Sequence, residues 1–226
     1  MIRFEVMVEE TDLSVYARQV MKTATRELVL QSRGVIEAYI RQFPQFAQTL
    51  SPWVINGPAP SIIRQMAAAG ENAGVGPMAA VAGMVAQYVG KRLLADSPEV
   101  IVENGGDIFV RVSRPVTLGI LAGHSAASQK LGIRIHPGSE PVGVCTSSGT
   151  VGHSLSLGRA EAVTIISESC PVADAAATAV ANRVHDPKDV RPAVEWAKAI
   201  SGITGVVVIH GDTIAAWGDL DLVPIG

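Results

Sequence analysis

The stretch "EVIVENGGDIFVRV", Glu99 to Val112, sets the polar turn Asn104-Gly105-Gly106-Asp107 between two runs of apolar β-formers. Alternating Val, Ile and Phe predict two short strands, and so brief a connection joins them only as a hairpin. Further along, "VTLGIL", "KLGIRIHP", "PVGVCTSS" and "AVTIISES" repeat the pattern, punctuated by Gly, Pro, Ser and Asn. These connections are too short for helical crossovers, so the sheet is expected to be mixed and largely antiparallel.

Helical periodicity falls in two blocks around that run. "RFEVMVEETDLSVYA" reads as an opening hairpin around Glu10-Thr11-Asp12, after which Val35, Ile36, Tyr39, Ile40 and Phe43 recur at helical spacing until Pro44. A short helix, a Gly-rich break and a longer helix from about Pro77 to Leu94 follow, the last carrying the small residues Ala79, Ala80, Gly83, Ala86 and Gly90. Such residues let a backbone lie close to a neighbouring element or a ligand. Beyond the strands, "SCPVADAAATAVANRV" and "DPKDVRPAVEWAKAIS" predict helices before a final pair, "GVVVIHGDTIAAWG". The segments "VENGGDIFV" and "VIHGDTIAAW" echo each other as strand, Gly-Asp turn, strand. The order predicts an α+β fold, a mixed, largely antiparallel sheet core with helices packed on it, in a single domain over residues 1–226.

Composition narrows the partners. Hydrophobic residues make up 48% of the chain and aromatics 4%, so the core is built from aliphatic side chains. With 18 basic and 21 acidic residues interspersed, no electropositive stripe offers itself to nucleic acid. The charge-free segment Ala73 to Gly90 is dilute in Leu and Ile and broken by Gly and Pro, which argues for a buried helix over a membrane span. Acids occupy the N-terminal stretch where a signal peptide is apolar, and two cysteines form no multi-bridge framework; a cytoplasmic protein is expected.

Two segments carry candidate chemistry. In "SESCPVADAAATAVANRV", Pro171 opens a helix and Asp174 and Thr178 share one face, a carboxylate and a hydroxyl suited to Mg²⁺. An ordinary helix start, with Asp174 favoured by the macrodipole and Thr178 turned inward, has the same spacing. In "GVCTSSGTVGHSLSLG", the loop Thr146, Ser147, Ser148, Gly149 and Thr150 can turn amides and hydroxyls toward an anion, or serve as a plain hairpin loop. Cys145 and His153 invite a nucleophile-and-base reading, and a helix dipole at Cys170 would favour its thiolate; buried, inert thiols are the alternative. His124, His136, His185 and His210 lack zinc-site spacing, and Asp12, Glu71 and Glu103 are acids near turns.

Taken in order, "VENGGDIFV", "CTSSGTVGHS" and "AVTIISESCPVADAAATAV" resemble the ApbE-like superfamily of FAD:protein FMN transferases, once described as thiamine-biosynthesis lipoproteins, over roughly Gly74 to Val180. The "ETDL" start and the "CPVADAAAT" helix are similar to a compact branch of it. The resemblance implies a flavin nucleotide, FAD or FMN, as ligand, Mg²⁺ on Asp174 and Thr178, and Asn104, Gly105, Gly106 and Asp107 along the nucleotide cleft. It also implies an acceptor protein for transferred FMN, or hydrolysis of FAD. Two departures stand out: "GHSLSLGRAEAV" replaces the family's His-Asp-Pro-Thr-Gly-like segment, and "AAVAGMVAQ" lacks its helix-start lysine. Binding survives such losses better than catalysis. Alongside stand two other readings: a thiol-dependent enzyme or carrier in sulfur metabolism using Cys145 and Cys170, and a non-catalytic nucleotide-binding module. The small-residue helices suggest a homodimer.

Overall fold

A computed structural model describes residues 1–120, 131–149 and 158–225. Its main sheet has eight strands: β1 (Ile2–Val8), β2 (Thr11–Ala17), β3 (Val100–Asn104), β4 (Asp107–Arg111), β7 (Val142–Ser147), β8 (Ala162–Ser167), β9 (Ile203–His210) and β10 (Thr213–Gly218), side by side in that order. A second sheet sets β6 (Leu131–Ile135) between β5 (Val116–Gly119) and β11 (Asp221–Pro224). Every pairing is antiparallel, including β2 with β3 and β8 with β9, which helices connect. The α+β expectation holds.

The period of two along the central strands sorts their side chains into two cores. Val100, Val102, Phe109, Cys145, Val163, Ile165, Val206 and Val208 face one way, into a cluster shared with the helices. Ile101, Val110, Val144, Ala162, Ile166, Val207 and Ile209 face the other, against Ile120, Ile133 and Ile135 of the small sheet and its approach. The result is three layers: helices, large sheet, small sheet.

The helical layer comprises α1 (Lys22–Gln42), α2 (Gln45–Gln48), α3 (Ser61–Ala73), a 3₁₀ turn (Pro77–Ala80) leading into α4 (Val81–Leu93), α5 (Cys170–Ala181) and, after a 3₁₀ turn at Pro187–Asp189, α6 (Val190–Ala197). The single helix expected over Pro77 to Leu94 is therefore divided at Val81. Within α1, Ile36 and Tyr39 are buried, as their spacing predicts, and the helix stops at Phe43 before Pro44. The charge-free stretch lies in this layer: α3 and the segment Pro77–Leu93 are bent by 106° relative to each other, and among the described residues no single helix is long and apolar enough to cross a membrane.

The opening hairpin turns one residue earlier than its composition suggests, at Glu9-Glu10, with Val8 opposite Thr11 and Glu9 at φ 51°. Its counterpart at Gly105-Gly106 pairs Asn104 with Asp107, and Gly105 alone of the two takes positive φ, 64°. That is the pattern of a II′ turn, whose twist matches the flanking strands. The echo at Gly211-Asp212 has the same form, with His210 opposite Thr213 and Gly211 at φ 58°, so hairpin geometry explains it.

Candidate functional site

Asp107 opens β4 on the helix-facing side of the sheet, directly across from Cys145 on β7. Beneath them, α5 starts at Cys170 and brings Asp174 up one turn later. The Asp174 carboxylate accepts a hydrogen bond from the Gly83 amide at 2.8 Å, and the Ala82 amide also bonds to it. Both amides belong to the first turn of α4, which has no cap from its own segment. Asp174 thus caps one helix from another. Close approach makes this reachable: a Cβ on Gly83 would lie 2.6 Å from the Cys170 carbonyl oxygen and 2.9 Å from the Asp174 Cβ. At this position the small residues of α4 serve helix packing.

The hairpin turn closes on the same point. Asn104 donates from its side-chain amide to the Ala82 carbonyl at 3.1 Å, and the Thr146 amide donates to the Gly106 carbonyl at 2.9 Å. A side chain on Gly106 would sit 2.5 Å from the Thr146 carbonyl oxygen, which ties the turn to β7. Asn104, Asp107, Asp174 and the start of α4 therefore converge, although the sequence separates them by tens of residues.

Burial dominates the electrostatics here. Asp107 is pushed up to about 7, chiefly by desolvation, against a smaller opposing pull from the Cys145 thiol bonded to it. Asp174 is raised well above the usual carboxylate range, first by desolvation and then by the charge of Asp107, while the α4 amides draw it back. Ionisation of Asp107 therefore opposes ionisation of Asp174.

Above them a cavity of about 520 Å³ opens between the large and small sheets. Ile108, Leu118, Ile120, Ile133 and Val144 form its apolar body, and the acidic residues Glu10, Asp12, Glu103 and Asp107 also line it. No Lys or Arg lines it among the described residues. Burial raises the Glu103 pKa, with a weaker opposing effect from Arg3.

The expected residues divide as follows. Asn104, Gly105, Gly106, Asp107, Thr146, Ser147 and Ser148 all line the cavity, and the Thr146 hydroxyl lies 2.9 Å from that of Thr164. Gly149 turns aside, donating its amide to the Ala160 carbonyl at 2.8 Å. Thr150 and His153 lie outside the described residues. Thr178 is half-buried one turn beyond Asp174, on the face its spacing predicts. Asp12 and Glu103 reach the cavity, whereas Glu71 is exposed on α3. Ala82 and the apolar body carried no local signal, since their side chains also suit an ordinary core.

The thiols need a correction. Cys145 and Cys170 are both free and fully buried, and desolvation pushes both upward, with Asp107 adding to it. Cys145 donates weakly to the Cys170 carbonyl at 3.5 Å. The depressed pKa expected of Cys170 from its helix dipole does not arise, because burial outweighs the dipole. Burial of both side chains argues against a nucleophilic role for either thiol.

The donor set suits a hard cation. Among the described residues no three His, Cys, Asp or Glu groups form a metal cage. Mg²⁺, however, is ordinarily held by one or two carboxylates, with water and ligand phosphate completing its shell. Asp174, Thr178 and Asp107 offer hard oxygens of that kind.

The fold as a whole is that of solved ApbE structures. The apo flavinyl transferase ApbE of Pseudomonas stutzeri superimposes with a TM-score of 0.62 over 96% of this chain and 93% of its own, at 16% identity. The flavin transferase ApbE of Vibrio cholerae gives 0.53 over 100% and 97%, at 14% identity. Within this class the chain belongs to the family described as AbpE bacteria, whose model matches residues 1–211. A UPF0280 protein of Methanocella arvoryzae is 41% identical over 214 residues, covering 94% of this chain and 87% of the relative. One from Methanocaldococcus jannaschii is 40% identical over 224 residues, covering 95% and 90%.

Proposed function

We propose that the cleft between the sheets binds a flavin nucleotide together with Mg²⁺, and that the protein transfers FMN from FAD to a hydroxyl acceptor or hydrolyses FAD. One observation carries the reading: an apolar cavity lined by four acidic residues and no described cation lies beside buried Asp107 and half-buried Asp174 at a helix start. A phosphate enters so acidic a site only with a divalent cation, while a flat apolar ring suits the cavity body. The flavin transferases that share the fold support the choice of ligand. The free thiols suit a reducing cytoplasm.

Asp174 and Thr178, with Asp107 beside them, would hold Mg²⁺, which when bound neutralises charge on the diphosphate and on the departing phosphate. The chain's own groups do the remainder. Asn104 holds the α4 start in place through Ala82, and the hairpin glycines leave the backbone open to close approach. Thr146, Ser147 and Thr164 present hydroxyls to the ligand, and Ile108, Leu118 and Val144 keep water from it. In transfer, the acceptor oxygen bonds to the FMN phosphorus as the bond to AMP breaks, AMP leaves with that electron pair, and the acceptor proton passes to solvent. In hydrolysis, water takes the acceptor's place and FMN is released.

The departure "GHSLSLGRAEAV" favours a second reading, binding without turnover. Incubation of the protein with FAD and Mg²⁺, followed by mass analysis of nucleotide and protein, separates the two. Covalent FMN or free FMN with AMP supports the enzyme; bound intact FAD supports the binding module. No uptake of FAD or FMN overturns both.

A further inference from the structure

Along the outer side of α1, Glu27, Leu30, Gln31, Gly34, Ala38 and Arg41 recur at helical spacing, so they form one stripe, and all are exposed. From Glu27 to Arg41 the stripe runs about 21 Å along the helix axis. Leu30 projects from it at 49% exposure, while Gly34 and Ala38 leave a recess: a Cβ built on Gly34 meets nothing within 4 Å. The small residues of α4 behave differently. Gly83 lies against α5, and a Cβ on Gly90 would strike the Phe109 ring, so both are used inside the chain.

The surface beside the stripe is uncharged. A groove of about 760 Å³ runs between α1, Tyr88 of α4 and residues 56–60, with Tyr39, Phe43, Pro58 and Pro60 in its walls, and no charged residue lines it among the described residues. A body laid over this face therefore desolvates few charges. The two charges on the stripe itself, Glu27 and Arg41, make no ion pair within the chain among the described residues.

The stripe is complementary to itself read backwards. Glu27 and Arg41 stand seven residues to either side of Gly34, so an antiparallel copy of α1 centred there sets each against the other at both ends. Leu30 then falls at the level of the gap between Gly34, Glu37, Ala38 and Arg41 of the second copy, the four-residue hole that takes a knob. Glu37 is already held aside by Arg33 at 3.1 Å.

We infer that α1 is the contact helix of a two-fold homodimer, packed antiparallel on α1 of a second copy across Gly34, with Leu30 as knob and two Glu27–Arg41 ion pairs. The contact uses the same patch on both chains and so closes at two copies. No residue of α1 lines the cleft between the sheets, which stays open in each copy, and the inference is independent of the flavin reading. At an interaxial distance of about 8–10 Å, Gly34→Ala still fits. Gly34→Glu does not, because it fills the recess and opposes two carboxylates beside the axis.

Sedimentation equilibrium over about 1–100 μM measures association of the wild-type chain, of Glu27→Arg, of Arg41→Glu and of the double reversal. The wild type is expected at the mass of two 23.6 kDa chains. Each single reversal opposes like charges at both ends and should weaken the dimer by about tenfold, and the double reversal should return it to within about threefold of wild type. The helix dipole also favours an acid early and a base late in α1, but the double reversal loses that preference further, so only interchain pairing restores the dimer. A monomeric wild type, a dimer indifferent to the single reversals, or a double reversal no tighter than the singles overturns the assignment. Should a reversal fail to fold, Gly34→Glu decides in its place, since it meets open space in the single chain: a monomer supports the interface, and an unchanged dimer overturns it.

Discussion

Adding one methyl group at Gly83 tests the joint between α4 and α5 on which the acid pair depends. In an exposed helix interior, Gly→Ala stabilises by about 1 kcal/mol, because alanine restricts the unfolded chain. At Gly83 the new Cβ would lie 2.6 Å from the Cys170 carbonyl oxygen and 2.9 Å from both the Cys170 carbonyl carbon and the Asp174 Cβ. Two of those atoms are backbone, so no rotamer change relieves the contact and the helices must part by several tenths of an ångström. Overpacking of that kind costs roughly 1–3 kcal/mol, which offsets the helical gain and leaves a net loss of up to about 2 kcal/mol. Gly34, exposed on α1 with nothing within 4 Å of a built Cβ, is the internal control. Urea unfolding should therefore show Gly83→Ala less stable and Gly34→Ala more stable than wild type, by about 0.5–1 kcal/mol for the latter. Parting the helices also stretches the Gly83–Asp174 hydrogen bond, so Mg²⁺-dependent nucleotide uptake should fall in Gly83→Ala alone. Equal stabilisation by both substitutions would refute the packing argument.

Mg²⁺ at a hundredfold excess over its dissociation constant should stabilise the protein by about 2.7 kcal/mol in thermal unfolding, and Asp174→Asn, which keeps a hydrogen-bond acceptor and loses the charge, should abolish the effect; the same rise in the variant would count against the assigned ligand. Alkylation with iodoacetamide at neutral pH should leave Cys145 and Cys170 unmodified in the native state and label both after denaturation, since neither thiol is exposed; rapid native labelling would restore the thiol hypothesis. Glu99 is buried, and its pKa is held below the usual value by hydrogen bonds from the Ser113 hydroxyl and amide, with help from Arg18. Its contribution is present above the unfolded carboxylate pKa and lost as pH falls through the lower folded one. Glu99→Gln should therefore cost about 1–3 kcal/mol at pH 7 and progressively less on acidification, as denaturation midpoints across that range would show; a gap that stays constant with pH would contradict the assignment.

The hairpin at Asn104–Asp107 and the antiparallel sheet were legible because each depends on neighbours in sequence: a period of two along the strands and a glycine able to take positive φ between them. The partition of that sheet into two cores was not. Val100, Val102 and Phe109 are as apolar as Ile101 and Val110, and only the presence of a second sheet tells which set faces helices. For the same reason Leu118, Ile120 and Ile133 looked like ordinary strand residues, although the cavity needs them. Cys170 misled in the opposite direction: its place at a helix start was readable, but the desolvation that overrides the helix dipole comes from β4 and β7, far away in sequence.

Asp174 shows where local and long-range information meet. Its position on an alanine-rich helix, four residues before Thr178, was plain, yet that pattern fits both a metal ligand and a favourable helix start. The structure adds a third role, since the carboxylate caps α4 through the Ala82 and Gly83 amides. Capping alone accounts for a single acid or for an uncharged Asn, both of which satisfy helix-end amides. It does not account for Asp107, a buried carboxylate whose charge pushes Asp174 further up and which, among the described residues, has no arginine or lysine as a direct partner. Two such groups are kept neutral by protons or matched by a cation. The cap positions Asp174, and the pairing with Asp107 is the feature that argues for a cation.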